Sequence, residues 1–205
     1  MIEKIIPGTR NKLKILREIY QSNGINLTSL IKKVNSSPNS VSDYVNKLEG
    51  IGVLISTKLL DKKAPVRNLR INYSSNLTML FLSLIEFDRR ESLFAKYKIL
   101  KQLSEQLSFI DGFALIYGSY ARLSSDKESD IDFIVVSDKV DKNKIKEILI
   151  TFPEVSLKVE TKKQFLQNLD KPLYQNILKE GIVLINEGDY LESIRDYLSK
   201  RARRL

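Results

Sequence analysis

Two periods of hydrophobic positions alternate along this chain. Between residues 9 and 22, Leu13, Leu16, Ile19 and Tyr20 recur at helical intervals, and Leu27, Leu30, Ile31 and Val34 predict a short second helix. Asn35-Ser36-Ser37 interrupts the pattern. Ser37 suits an N-cap and Pro38 the first helical position, after which Val41, Tyr44, Val45 and Leu48 fall at i, i+3, i+4 and i+7. Gly50 and Gly52 end this third helix. From Val53 to Leu60 the residues alternate as in a strand, Asp61-Lys62-Lys63-Ala64-Pro65 forms a polar turn, and Arg67 to Tyr73 returns as the second strand of a hairpin.

From Asn76 the helical period resumes with Leu77, Leu80, Phe81, Leu84 and Ile85. The charged patch Asp88-Arg89-Arg90-Glu91 then separates it from a second amphipathic stretch through Leu93, Tyr97, Leu100, Leu103 and Leu107. Such an apolar stripe suits either packing between domains or dimerisation. Beyond it, the short apolar runs Leu115–Tyr117 and Ile131–Val136 predict strands. Lys142 to Ile150 reads as a helix, Val155 to Glu160 as a strand and Lys162 to Leu169 as a helix. Pro172, Leu173 to Lys179, the apolar Ile182 to Ile185 and a last helix from Tyr190 to Arg203 complete a small α/β unit. The expected fold is α+β in three parts: residues 1–75, a helical connector over 76–109 and an α/β domain over 110–205.

The chemistry sits where the second of those strands begins. Asp130 and Asp132 are two apart on a strand, so they point to the same side. Two carboxylates so placed repel each other unless a cation lies between them, and hard oxygen ligands suit Mg²⁺ or Mn²⁺. Upstream, Gly118 lets the chain turn tightly after Leu115-Ile116-Tyr117, and small Ser119 allows backbone N–H groups to approach a phosphate. Phosphate and metal together point to phosphoryl or nucleotidyl transfer.

Composition narrows the alternatives. With no histidine and no cysteine, the chain has no Ser-His-Asp or Cys-His catalysis, zinc finger, haem attachment or disulfide. No stretch approaches the roughly 18 apolar residues of a membrane span, and no signal-peptide core is evident. A cytoplasmic protein without a membrane partner is expected. The net charge of +9 is uneven: residues 1–75 hold thirteen Lys and Arg against five Asp and Glu, whereas residues 76–205 hold twenty-one against twenty. A basic module joined to a near-neutral one suggests that the first third meets nucleic acid.

Gly118-Ser119-Tyr120-Ala121-Arg122 followed by Ser129-Asp130-Ile131-Asp132 resembles the polymerase-beta-like nucleotidyltransferase superfamily, particularly its minimal branch, over roughly residues 110 to 190. The resemblance implies that Gly118 and Ser119, with Arg122 and Ser129, bind the nucleotide, ATP being the expected one, and that Asp130 and Asp132 bind the metal. Family members usually place a third carboxylate on the neighbouring strand, where this chain aligns Ser156 or Lys158. Glu160 reads either as a substitute one or two pleats further on or as a surface charge at a strand end. Arg122 faces the triphosphate or is an ordinary solvated arginine. The minimal branch includes antitoxins that modify partner toxins, so a protein acceptor such as a cognate toxin is among the implied partners.

Three helices followed by a hairpin resemble a winged helix-turn-helix domain of the prokaryotic transcription-factor type over about residues 9 to 73. On its third helix Asn39, Ser40, Ser42, Asp43, Asn46 and Lys47 face outward, able to reach base edges or phosphates in a major groove, and Lys62, Lys63, Arg67 and Arg70 would set the wing beside the DNA backbone. The resemblance also allows a homodimer on two half-sites. Two functions follow: a metal-dependent nucleotidyltransferase with a DNA-binding winged helix, or a DNA-binding regulator whose transferase domain binds nucleotide without turnover.

Overall fold

The computed structural model describes residues 10–22, 24–59, 66–126, 129–152 and 155–203. Packing divides the chain into two units, Met1–Ile85 with Arg195–Leu205, and Glu86–Ile194. The division falls within the stretch 76–109 that reads as a connector.

In the first unit, α1 (Arg10–Ser22), α2 (Leu27–Val34) and α3 (Pro38–Gly50) are followed by β2 (Leu54–Leu59) and β3 (Val66–Ile71). The periodic residues are the buried ones: Leu16, Ile19, Leu30, Val41, Val45 and Leu48 are all inaccessible to solvent. Asn26 caps α2 by accepting from the Ser29 amide at 2.8 Å, and Ser37 caps α3 by accepting from the Ser40 amide at 3.2 Å with Pro38 in the first turn. A two-residue strand, β1 (Ile25–Asn26), pairs antiparallel with β3, giving a sheet of order β1-β3-β2. It has no alternation to betray it in the sequence, because two residues are too few to show a period. The polar turn Asp61–Pro65, with Lys62 and Lys63, lies outside the described residues.

The long helix α4 (Asn76–Lys96) differs from the expected pattern in two ways. Leu80, placed in the apolar stripe, is 55% exposed, whereas Thr78 is fully buried. The charged patch Asp88–Glu91 does not interrupt the helix, and the break comes at Tyr97, before α5 (Lys98–Gln106). Charge is tolerated there because Arg89 is paired: its Nη1 donates to both oxygens of buried Glu86, at 2.9 and 3.1 Å, and its Nη2 donates to the Glu180 carbonyl. A buried ion pair with its hydrogen bonds satisfied can sit inside a helix that a lone charge would disfavour.

The second unit is built on a four-stranded mixed sheet of order β6-β5-β4-β7, from β4 (Phe113–Tyr117), β5 (Ile131–Val136), β6 (Val155–Glu160) and β7 (Ile182–Ile185). β4 pairs antiparallel with β5 and with β7, while β5 and β6 run parallel, joined through α7 (Lys142–Leu149). Alternation divides the sheet into two faces. Ala114, Ile116, Ile131, Phe133 and Val135 pack with Leu100, Leu103 and Leu107 of α5 and Ile145 of α7. The opposite face carries Phe113, Val136 and Glu160 at one end, covered by Phe165 of α8 (Lys162–Asn168), Tyr174 of α9 (Pro172–Glu180) and Tyr190 of α10 (Glu187–Arg203). The Phe113 ring lies edge-on to both Phe165 and Tyr190 at 5.4 Å between centroids. At the other end of this face stand Tyr117, Asp132 and Ser156, side by side on three strands.

Candidate functional site

The turn after β4 and the first residues of β5 form one object. Tyr117 pairs with Asp132 across the antiparallel ladder, so Gly118 arrives directly beside the Asp132 side chain. Gly118 has φ +72, and a Cβ on it would lie 2.2 Å from Asp132 Oδ2. Only glycine satisfies both the left-handed backbone and the carboxylate pressed against it. The chain continues into a single helical turn, α6 (Gly118–Ala121), and Arg122 caps it with a backbone bond to the Gly118 carbonyl. Ser119 is half-buried, and its carbonyl accepts from the Ser124 amide at 2.9 Å, which folds the loop back on the turn.

Asp130 is exposed and Asp132 half-buried. Burial, and then the charge of Asp130, push the Asp132 carboxyl above its ordinary value, while Arg122 opposes them. Arg122 therefore stands close enough to act on Asp132, and its Nη1 also donates to Glu180 Oε2 at 3.3 Å. Ser129 is turned inward on its own loop: its hydroxyl donates to Asp126 Oδ1 at 2.7 Å and accepts from the Asp126 amide. Gly118, Asp130, Asp132 and Arg122 are thus brought together, with Ser119 adjoining.

Glu160 is not brought to them. The parallel register sets Asp132 beside Ser156, Ile134 beside Lys158 and Val136 beside Glu160, so Glu160 lies two pleats beyond the position next to Asp132. Its carboxylate is 8% exposed and enclosed by donors: Oε1 accepts from the Tyr174 hydroxyl, from Asn168 Nδ2 at 3.3 Å and from Lys158 Nζ at 3.0 Å. Oε2 is buried without a hydrogen-bond partner. Among the described residues no three acidic, histidine or cysteine side chains converge as a metal site, so Asp130 and Asp132 alone could hold a cation there.

Tyr117, Tyr174 and Asn168 carry no motif that marks them in the sequence. Tyr117 could have been placed by counting from the β4–β5 pairing, but Tyr174 reaches Glu160 only through the packing of α9. Burial raises the Tyr117 hydroxyl, and Asp132 raises it further while Lys158 lowers it, so both charges reach this one ring.

In the first unit, Asn39, Ser40, Asp43, Asn46 and Lys47 are exposed along α3, and Ser42 is half-buried. Arg67 does not stand free beside them. It reaches from β3 to α3, donating to Asn46 Oδ1 at 2.8 Å and pairing with Glu49. That clamp orients Asn46 and fixes the hairpin against the helix.

Residues 98–190 match the family model described as polymerase beta, nucleotidyltransferase, and residues 9–63 match the MarR family model. The chain joins an N-terminal MarR-type winged helix to a C-terminal nucleotidyltransferase domain with a mixed sheet. The nucleotidyltransferase match spans the Gly118 turn, both aspartates and β6; the winged-helix match spans α1, α2, α3 and β2. Searches of curated proteins and of solved structures returned no match. No described helix is long and apolar enough to cross a membrane.

Proposed function

We propose that the second unit transfers a nucleoside monophosphate from an NTP, ATP being the expected one, to an acceptor hydroxyl, and that the winged helix binds DNA. The close approach of Gly118 to Asp132 supports this reading above all. It puts a backbone turn with no side chain at its apex against an acidic pair, so a phosphate held at the turn would share a cation with those carboxylates. The donor set fits one hard cation, Mg²⁺ or Mn²⁺: two carboxylates at one strand end, with room left for phosphate oxygens, since such ions are commonly bound by one or two carboxylates plus substrate phosphate. When bound, that cation would neutralise phosphate charge and polarise the α-phosphorus. The chain itself holds the phosphates at Gly118–Ser119, adds the Arg122 charge and keeps acceptor and leaving oxygens in line. The acceptor oxygen bonds to the α-phosphorus, the bond to the bridging oxygen breaks, pyrophosphate leaves and the hydroxyl proton goes to water.

A protein hydroxyl, including one on a partner toxin, is a candidate acceptor. On α3, the exposed Asn39, Ser40, Asn46 and Lys47 support insertion into a major groove. The placement of Ser156 and Lys158 where a third acid would stand favours a second reading, a DNA-binding regulator that binds nucleotide without turnover. Incubating the purified full chain with α-labelled NTPs, Mg²⁺ and candidate protein or nucleic-acid acceptors separates the two. We expect label transfer that Asp130→Ala abolishes; nucleotide binding without transfer selects the regulator, and transfer untouched by Asp130→Ala sinks the first reading. DNA affinity that does not fall with salt overturns DNA binding by the winged helix.

A further inference from the structure

Lys158 occupies the sheet face that carries Asp132. Counting strand spacings across and along the sheet, its Cα lies about 8 Å from that of Asp132. Its ammonium is fixed on one side only. Nζ donates to the Tyr174 hydroxyl at 2.5 Å, pairs with Glu160 Oε1 at 3.0 Å and sits 4.8 Å from the Tyr174 ring centroid, yet the side chain remains 40% exposed. Asn168 completes the cluster with a bond to the same Tyr174 oxygen at 3.2 Å. The Tyr174 hydrogen bond, followed by Glu160, holds the lysine charged above its usual range. Tyr117, on β4 beside Asp132, feels both Asp132 and Lys158, so one carboxylate and the ammonium act on the same ring.

We propose that this site takes a single divalent cation, at Asp130 and Asp132, and that the Lys158 ammonium supplies on the acceptor side the positive charge that a second cation would bring. The inference rests on the nucleotidyl-transfer reading above. Two-metal centres hold their ions about 3.5–4 Å apart, and carboxylates must offset the mutual repulsion. Here the residue beside Asp132 is Ser156, the next on that face is a cation, and the acid beyond it has Oε1 committed to three donors. Among the described residues, a second divalent ion would face Lys158 with no carboxylate oxygen left to receive it but the buried Oε2 of Glu160. The ammonium does not take the acceptor proton, which leaves to water. It lowers the energy of the charge that develops on the attacking oxygen, a task for a preorganised donor in a partly desolvated site.

The test counts metal ions. Full-length protein saturated with a non-hydrolysable α,β-methylene NTP is titrated with Mn²⁺, free ion being read by electron paramagnetic resonance, for the wild type, Lys158→Asp and Lys158→Met. We expect one Mn²⁺ per chain in the wild type and in Lys158→Met, and two in Lys158→Asp, which places a carboxylate where the ammonium was. Two ions in the wild type, or one in a folded Lys158→Asp, overturn the inference while leaving nucleotidyl transfer standing. A wild type that binds neither analogue nor Mn²⁺ overturns the underlying reading and this inference with it. The wild-type count needs no variant, so it decides even where a substitution fails to fold. Pyrophosphate release with the acceptor that supports transfer should fall about 100-fold in Lys158→Met at unchanged analogue affinity; an unchanged rate removes the role given to the ammonium.

Discussion

β5 and β6 are adjacent parallel strands of six residues each, in register, with acids on the same face, yet they treat those acids in opposite ways. On β5, Asp132 lies against Gly118 and feels the charge of Asp130, with Arg122 opposing it, and its carboxyl is pushed toward the protonated state. On β6, Glu160 is more deeply buried but has Tyr174, Asn168 and Lys158 around it. The lesson is that burial alone does not tell how an acid is compensated. Among the described residues, Asp132 has a second carboxylate and Arg122 acting on it, whereas Glu160 has three donors on Oε1.

The largest break in this contrast should come from Gly118→Ala. A left-handed alanine costs about 1–2 kcal/mol, and its Cβ would displace the Asp132 carboxylate. Mn²⁺ affinity should fall by on the order of 10–100-fold, measured by titration alongside a thermal melt; full affinity in the variant would refute the coupling of turn and acid. Next comes Glu160→Gln, which weakens the charge-assisted bonds from Tyr174 and Lys158. It should destabilise the protein by about 1–3 kcal/mol in urea unfolding without changing the number of Mn²⁺ ions bound. A loss of Mn²⁺ would instead place Glu160 in the site.

The smallest effect has the opposite sign. Because the Asp132 carboxyl is raised in the folded state, the native protein holds the proton more tightly than the unfolded chain. Metal-free stability should therefore fall as pH rises from about the ordinary carboxyl value of 3.8 through the raised one. Asp132→Asn should flatten that slope and leave the metal-free protein slightly more stable above the window, as read by melting temperature against pH. In the wild type, Mn²⁺ affinity should rise with pH across the same window, since proton and cation compete for one carboxylate. A stability profile with the reverse slope would show that Asp132 is already compensated.

Much of this arrangement is legible in the chain. The Gly118 turn and the Asp130–Asp132 spacing are local, and three helices with Ser37 and Pro38 at the start of the third are set by short-range rules of capping and period. What is not legible depends on distant partners. α4 passes through Asp88–Glu91 because Arg89 meets Glu86 and a carbonyl at residue 180. Glu160 is removed from the acidic pair by strand register and by a tyrosine fourteen residues away. Arg67, read as a contact for the DNA backbone, is bound to Asn46 and Glu49 by the way the hairpin folds onto α3. Alternation assigns a side chain to a face, but it does not say which neighbour will occupy its charge.

The apex of the Gly118 turn touches the Asp132 carboxylate, and this has a consequence for how such a domain can change over generations. Any replacement at residue 118 disturbs the acid as well, so the turn cannot gain a side chain without displacing the carboxylate beside it. Under the proposed reading, the phosphate-holding and cation-holding halves of the motif are therefore coupled at residue 118, and a lineage that replaces this glycine would be expected to lose the present position of the acid with it.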